Sequence, residues 1–195
     1  MIWAMVLAAG ESRRMGRQKL LLPYGGTTVV EAVVRAALDS SVDETMVVLG
    51  ADREAVRDAL KSYPVTFAVN EDFRRGMLSS VQAGFRALPG GSEAAVVMLG
   101  DQPAVASRTI DELVQAFRKD DRGIVLPRYA GRRGHPVLVG TGYREEINGL
   151  DPEVGLRGLR QAHPEDVLEV EVSAPAPPED MDVPDDYARA VAKRR

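Results

Sequence analysis

The apolar run Ile2-Trp3-Ala4-Met5-Val6-Leu7 leads directly into Ala8-Ala9-Gly10-Glu11-Ser12-Arg13-Arg14-Met15-Gly16-Arg17-Gln18-Lys19. The first part predicts a strand. The small residues at positions 8–10 let a ligand approach the backbone closely, and successive N–H groups in such a loop can form an anion-binding nest. Four Arg or Lys side chains follow within seven residues. The loop therefore suits a phosphate chain, although a solvated basic loop explains the same composition.

Two common phosphate-binding motifs do not match this loop. A P-loop needs Gly, four residues, then Gly-Lys-Ser/Thr, whereas five residues separate Gly10 from Gly16 and Arg17 follows. The dinucleotide fingerprint G-x-G-x-x-G fails at Gly140-Thr141-Gly142, because position 145 is Glu. A nicotinamide oxidoreductase is therefore a disfavoured class.

Outside this loop, β-branched runs alternate with amphipathic stretches. Strands are predicted at 45–49, 64–69, 94–99, 123–126, 136–139 and 167–172, and helices at 28–38, after Asp52, and at 79–88, 107–117, 154–162 and 184–192. This order favours an α/β fold with a mostly parallel central sheet and helices on both faces. Ligands of such sheets bind at the carboxyl ends of the strands, which draws attention to the loops after them.

The composition of the chain argues against several classes of protein. The chain has 195 residues and predicts a single domain over 1–195, with 45% hydrophobic residues available for a core. Its net charge of −4 argues against a nucleic-acid binder, which needs a basic surface. We expect no membrane span and no signal peptide, since no apolar run reaches about 18 residues and no basic leader precedes the first strand. The lack of cysteine excludes a zinc–thiolate site and a cysteine nucleophile, and favours a cytoplasmic location.

Two further loops carry candidate ligand groups. Asp101 follows the wholly apolar run 94–99, where an ionised carboxylate needs a binding partner. Magnesium suits this position, because it takes one or two carboxylates together with phosphate oxygens and water; capping of the next turn is the alternative. Asn70 precedes Gly76 and Ser80 at a predicted helix start, which offers N–H and hydroxyl donors to a nucleotide or forms an ordinary helix cap.

The first loop carries a family resemblance. The pattern Leu-Ala-Ala-Gly-x-Ser-x-Arg-Met-Gly-x-x-Lys resembles the signature loop of nucleotidyltransferases that activate sugars, isoprenoid precursors and molybdopterin, and the chain from Val6 to Tyr187 looks most like the molybdenum cofactor cytidylyltransferases. The resemblance implies a three-layer, Rossmann-like sandwich of the nucleotide-diphospho-sugar transferase type. It also implies a set of nucleotide-binding residues: Leu7, Ala8, Ala9, Gly10, Glu11, Ser12, Asn70, Ser80 and Gly100.

The same resemblance assigns roles near the C-terminal end of the chain. The family pattern Asp-x-Asp-Thr-Pro matches 180–184 with Val in place of Thr, and it implies that Asp182 joins Asp101 in binding Mg²⁺. Asp180 stays open as a further ligand. A Gly-His-Pro segment implies that Gly134 and His135 shape the acceptor site, with Arg132 and Arg133 as candidate phosphate contacts; a structural role for His135 is equally open.

The implied reaction moves CMP from CTP to the terminal phosphate of molybdenum-bound molybdopterin and releases pyrophosphate. Arg14, Lys19 and Asp101 are the implied catalytic residues, and we expect Lys19 to be accessible to solvent. CTP and a molybdopterin-type cofactor are the implied substrates, with a molybdoenzyme or its chaperone as a candidate protein partner. Two alternatives stay open: a related transferase that uses GTP or another phosphorylated acceptor, and a non-catalytic carrier or insertion chaperone for the cofactor.

Overall fold

The computed structural model describes residues 1–174 and 176–193; Pro175, Arg194 and Arg195, which fall within the predicted single domain, lie outside the described residues. Ten strands are described: β1 (Ile2–Ala8), β2 (Pro23–Tyr24), β3 (Thr27–Thr28), β4 (Glu44–Leu49), β5 (Thr66–Val69), β6 (Ala94–Leu99), β7 (Ile124–Tyr129), β8 (Arg132–Arg133), β9 (Val137–Gly140) and β10 (Val167–Glu171). The described helices are α1 (Val29–Leu38), α2 (Arg53–Leu60), α3 (Met77–Ala87), α4 (Ser107–Lys119), α5 (Arg144–Gly149), α6 (Leu156–Ala162) and α7 (Pro184–Lys193).

One mixed sheet forms the centre of the molecule. Its strand order is β10-β7-β9-β6-β1-β4-β5, with β8 paired to β7. Strands β6, β1, β4 and β5 are parallel neighbours, and β10 runs parallel to β7, whereas β9 is antiparallel to both of its neighbours. The predicted mostly parallel sheet is therefore confirmed, and the short strands β8 and β9 are its antiparallel members.

Side chains of β1 alternate between two hydrophobic layers. Ile2, Ala4 and Val6 face the layer that contains α1, α2 and α4, while Trp3 and Met5 face the layer that contains α3, α5 and α6. Such alternation follows from the two-residue period of a strand. Because both faces of the sheet are covered, the central strands β1 and β6 are apolar throughout, and the three-layer α/β architecture is confirmed. No helix of the described residues is both long enough and apolar enough to cross a bilayer.

The segment after β10 returns across the carboxyl ends of the central strands. Its start is joined to β7 by the Val172 N–H, which donates to the Arg128 carbonyl at 2.9 Å. Met181 is buried in the core and anchors the segment. The hydroxyl of Tyr187 in α7 donates to the Pro23 carbonyl at 2.6 Å. These contacts place Asp180 and Asp182, on either side of Met181, beside the loop that follows β1.

Gly100 is the point where β6 passes closest to β1, and it gives a testable stability prediction. Its N–H donates to the Leu7 carbonyl at 3.0 Å, and a Cβ at this position would stand 2.6 Å from that same oxygen. We expect Gly100→Ala to lower the free energy of unfolding by about 1–3 kcal/mol, because backbone cannot yield as a flexible side chain does. Urea unfolding measures this, with Gly90→Ala as control, since nothing lies within 4 Å of a Cβ there. Equal effects in the two variants would contradict the steric account.

Candidate active site

A hydrogen-bonded glutamine holds the loop after β1 in shape. The Gln18 side-chain oxygen accepts from the Ser12 hydroxyl at 2.8 Å, and its NH₂ group donates to the Gly10 carbonyl at 3.2 Å and to Asp52 Oδ2 at 3.0 Å. The Ser12 hydroxyl in turn accepts from the Lys19 N–H at 3.0 Å. Ser12 and Asp52 both have positive φ angles, of 53° and 51°, a conformation that is uncommon outside glycine. Gln18 thus joins two residues with uncommon backbone conformations, Ser12 and Asp52. Through Ser12 it also holds the backbone N–H of Lys19 in place.

Lys19 lies at the centre of a cluster of charges. Its Nζ is 2.5 Å from Asp101 Oδ2 and 3.0 Å from Asp182 Oδ1, and the other Asp182 oxygen is 2.8 Å from an Arg14 guanidinium nitrogen. Only 14% of the Lys19 side chain is exposed, so the expectation that it is freely accessible to solvent is wrong. The reason is that residues distant in sequence, at the end of β6 and before α7, close over it.

The charges of this cluster shift each other's pKa values. Burial disfavours the charged form of Lys19, but the charges of Asp101 and Asp182 and their hydrogen bonds outweigh it and raise the Lys19 pKa. Burial raises the pKa of Asp101 despite the opposing effect of Lys19. Burial of Asp182 is slight, and Lys19 and Arg14 overcome it and lower its pKa. A firmly protonated lysine therefore sits between two carboxylates that differ in their tendency to ionise.

A cavity of about 420 Å³ opens directly over this cluster. It lies at the carboxyl ends of β1 and β6, where ligands of parallel sheets bind. The structure brings most of the residues singled out from the sequence to its wall: Leu7, Ala9, Gly10, Arg14, Lys19, Ser80, Asp101, Asp180 and Asp182. Gly76, which the sequence indicated together with Ser80, also lines the cavity. The remaining lining residues were not indicated by the sequence: Leu20, Phe73, Met77 and Leu99.

Five of the other predicted nucleotide-site residues lie around the cavity and not on its wall. Ala8 is fully buried in β1, and Gly100 contacts the backbone of Leu7. Asn70 is buried, and its NH₂ group donates to the hydroxyls of Ser79 and Ser80 at 2.8 and 3.0 Å, so it positions Ser80. Glu11 and Ser12 line a shallower depression beside the cavity together with Arg13, Arg14 and Arg74.

The carboxylates suit a divalent cation that arrives with phosphates. Asp101 and Asp182 approach the same ammonium group, and Asp180 lines the same cavity while its Oδ1 accepts from Gln102 at 2.7 Å. Among residues 1–174 and 176–193, no group of three or more His, Cys, Asp or Glu side chains is arranged to hold a metal alone. Two carboxylates that need phosphate and water to complete the ligand set are typical of a magnesium site. The donor set therefore fits Mg²⁺ bound to a nucleotide.

A second, smaller cavity of about 280 Å³ adjoins the first, since Leu7 and Met77 line both. Aliphatic side chains of β6, β7, β9 and α6 make up most of its wall, and His135 lies among them. Gly134 lies outside this wall, where a Cβ would stand 2.9 Å from the Tyr129 ring. Of the two predicted acceptor-site residues, the structure thus places only His135 in a cavity, and Gly134 allows the tyrosine to pack.

Burial of His135 predicts a pH-dependent stability. Burial lowers its pKa, and its Nδ1 has no hydrogen-bonding partner among the described residues. Below the unfolded-state pKa of about 6.5, the unfolded chain takes up a proton that the folded chain resists, so stability falls as the pH falls from about 7.5 to 5. We expect His135→Gln to reduce this slope in urea unfolding. An unchanged slope would assign the loss to other groups.

An α/β sheet with a basic loop after its first strand, one carboxylate after β6 and two before α7 is the arrangement expected of a nucleotidyltransferase. The chain belongs to the family of the MobA-like NTP transferase domain, whose model matches residues 4–167. Its sheet and flanking helices are those of the nucleotide-diphospho-sugar transferase fold.

Two relatives of this chain have names that describe different activities. The chain is 31% identical over 189 residues to nicotine blue oxidoreductase of Paenarthrobacter nicotinovorans, covering 93% of this chain and 92% of that one. It is 30% identical over 135 residues to molybdenum cofactor cytidylyltransferase of Escherichia coli K12, covering 69% and 68%.

Solved structures of one mycobacterial protein match nearly the whole chain. Rv0371c of Mycobacterium tuberculosis H37Rv superimposes with a TM-score of 0.88 at 33% identity, covering 98% of this chain and 97% of that one. Its complex with manganese matches with a TM-score of 0.81 at 30% identity, covering 98% of both chains. The mycobacterial protein has thus been solved in complex with manganese.

Proposed function

We propose that this chain transfers the cytidylyl group of CTP to the terminal phosphate of molybdenum-bound molybdopterin. The observation that carries the proposal is the cluster of Arg14, Lys19, Asp101 and Asp182 beneath a cavity at the carboxyl ends of β1 and β6. The named Escherichia coli relative supports the choice of nucleotide and acceptor.

The reaction needs alignment and charge neutralisation more than acid–base chemistry. An oxygen of the acceptor phosphate, already anionic, forms a bond to the α-phosphorus of CTP. The bond from that phosphorus to the oxygen bridging to the β-phosphate breaks, and pyrophosphate leaves with its electron pair. Holding two anions in line and compensating their charge lowers such a barrier, so a covalent enzyme intermediate is not required.

The residues divide this work by position. We expect Lys19 to lie close to both the α-phosphate of CTP and the departing pyrophosphate. Its ammonium group then stabilises the negative charge on both. Arg14, whose side chain is 68% exposed, reaches the outer phosphates. Backbone N–H groups between Ala9 and Ser12 hold the triphosphate. Asp101 and Asp182 would hold Mg²⁺, which would supply positive charge to neutralise the phosphates.

The proposed preference for CTP over other nucleotides rests on the first loop. Ala9 lines the cavity, and we expect its methyl group to narrow the floor on which a base would sit. A pyrimidine fits such a floor more readily than a purine. We expect kcat/KM for CTP to exceed that for GTP about tenfold or more, because a base with unpaired polar groups loses ~1–3 kcal/mol for each.

Pyrophosphate release tests this function directly. The purified protein is incubated with CTP, GTP, ATP or UTP in turn, with Mg²⁺, and with or without molybdopterin. If the proposal is correct, pyrophosphate is released only when CTP, the metal and the acceptor are all present. Equal or faster release from GTP would assign the guanylyl reaction, and acceptor binding without release from any nucleotide would assign a carrier.

The oxidoreductase name of one relative calls for a further arm in the same experiment. That relative covers 93% of this chain, which is more than the cytidylyltransferase covers. Oxidation of NADH or NADPH is therefore followed in the absence of nucleoside triphosphate, with nicotine blue, from the relative's name, as the electron acceptor. Turnover there, with no pyrophosphate released in the other arms, would overturn the transferase proposal.

A further inference from the structure

Two arginines on α6 line the second cavity without an acidic partner. Arg157 and Arg160 are three residues apart, so they lie on the same side of the helix, and both contribute to the wall of the 280 Å³ cavity. Among the described residues, neither makes a hydrogen bond or an ion pair. Arg157 is exposed to solvent, whereas Arg160 is partly buried, and a partly buried guanidinium without a hydrogen-bonded carboxylate is costly to keep unless an anion is bound there.

Neighbouring arginines differ from this pair because their charges are compensated. Arg122 makes two hydrogen bonds of 2.8 Å to Asp120, and Arg133 donates from Nε to Glu169 at 2.7 Å. The candidate phosphate contact Arg133 is thus already paired. The free positive charge lies instead on α6, at residues that the sequence did not indicate.

The electrostatic surroundings of Arg160 show the same excess of positive charge. Burial, followed by the repulsion of Arg133 and Arg157, lowers its pKa, and Glu169 compensates only in part. Arg160 also lines a groove next to the cavity, together with Arg122 and Arg133. An anion at this place would relieve the repulsion.

The apolar wall defines what kind of molecule brings that anion. Val97, Ile124 and Leu126 present aliphatic surface from the sheet, and Leu156 and Leu159 present it from α6. Such a cavity accepts a flat or apolar body. The neighbouring cavity already provides Lys19 and Arg14 for the phosphates that react, so the arginines of α6 are available for a different group.

We propose that Arg157 and Arg160 bind a second anionic group of the acceptor, separate from the phosphate that reacts, while the body of the acceptor lies in the apolar cavity. This rests on the proposed function, in which the acceptor occupies the space next to the nucleotide. The acceptor then carries a second negative charge besides that of its reacting phosphate. These two residues determine specificity for it.

A pair of pterins tests the site without any nucleotide chemistry. 6-Carboxypterin carries an anionic group on a flat ring and 6-methylpterin does not, and binding of each is followed by pterin fluorescence. We expect the wild type to bind the carboxylate about tenfold more tightly or better, as hydrogen bonds to a charged group contribute ~1.5–3 kcal/mol. The Arg157→Ala/Arg160→Ala variant should bind both pterins equally. Arg160→Lys should keep part of the preference, and Arg118→Ala, on the opposite helix layer, should keep all of it.

The second arm measures transfer from CTP to molybdopterin. Arg160→Ala should raise the KM for the acceptor about tenfold and leave the KM for CTP within about twofold. If the wild type prefers 6-carboxypterin but releases no pyrophosphate, the proposed function fails and the anion site stands. If the wild type shows no such preference, or if the double variant retains it, the anion site is overturned. Thermal unfolding of every variant identifies any that do not fold. If an alanine variant does not fold, the binding preference of Arg160→Lys tests the anion site in its place.

Discussion

Lys19→Ala is expected to slow nucleotidyl transfer by about 10²–10³-fold, as for the loss of other preorganised charges in a site sheltered from water. The ammonium group is held by Asp101 and Asp182, so it is in place before substrate binds. Single-turnover pyrophosphate release with saturating CTP and acceptor measures the chemical step. Lys61→Ala, at an exposed position after α2, is the matched control. A rate within a few-fold of the wild type would show that Lys19 only joins the two carboxylates.

The same variant gives a second readout that does not depend on turnover. With the ammonium removed, Asp101 and Asp182 attract a divalent cation without competition from a fixed positive charge. We therefore expect Lys19→Ala to bind free Mn²⁺ more tightly than the wild type in the absence of nucleotide, as measured by electron paramagnetic resonance or calorimetry. Weaker Mn²⁺ binding would indicate that the variant has lost the arrangement of the carboxylates, which separates local collapse from loss of catalysis.

Asp101→Asn is the second change with a large expected effect, a loss of about 10²-fold or more in kcat with Mg²⁺. Asparagine keeps the size of the side chain but replaces one carboxylate oxygen by NH₂, which is a poor ligand for a hard cation. Lys19 keeps Asp182 as its partner, so the free energy of unfolding should change by no more than ~1 kcal/mol. Asp58→Asn on the exposed side of α2 is the control.

The dependence of rate on metal concentration distinguishes binding from chemistry for Asp101. If excess Mg²⁺ restores the Asp101→Asn rate fully, Asp101 contributes affinity for the metal and little else. If the loss persists at saturating metal, Asp101 also aligns Lys19 or the phosphates. Wild-type turnover at ordinary Mg²⁺ concentrations would contradict both roles and leave Asp101 as a structural partner of Lys19.

Much of the fold could be predicted from the sequence because its signals are local. The wholly apolar run Ala94–Leu99 can only be a strand covered on both faces, and helix α1 is signalled by Thr28, whose hydroxyl accepts from the Glu31 N–H in a capping box. The signature loop indicated the family and five residues of the first cavity's wall: Leu7, Ala9, Gly10, Arg14 and Lys19. These features depend on residues that are neighbours in sequence.

The rest depends on contacts between distant segments, which one sequence does not display. The burial of Lys19 follows from Asp101 and Asp182, 82 and 163 residues away. The unpaired state of Arg160 becomes visible only when the partners of Arg122 and Arg133 are known. Gln18 is recognisable in sequence as a residue next to Lys19, but its bond to Asp52 requires the approach of α2 to the first loop.

The late position of Asp182 has a consequence for synthesis of the protein on the ribosome. Lys19 leaves the exit tunnel long before Asp182, so during most of translation the nascent chain carries the basic loop without one of the two carboxylates that neutralise Lys19. Because domains emerge from their N-terminal end, the charge cluster forms only once the segment that contains Asp182 is outside. We therefore expect a polypeptide that is released before Asp182 is added to keep the basic first loop but to lack turnover of CTP.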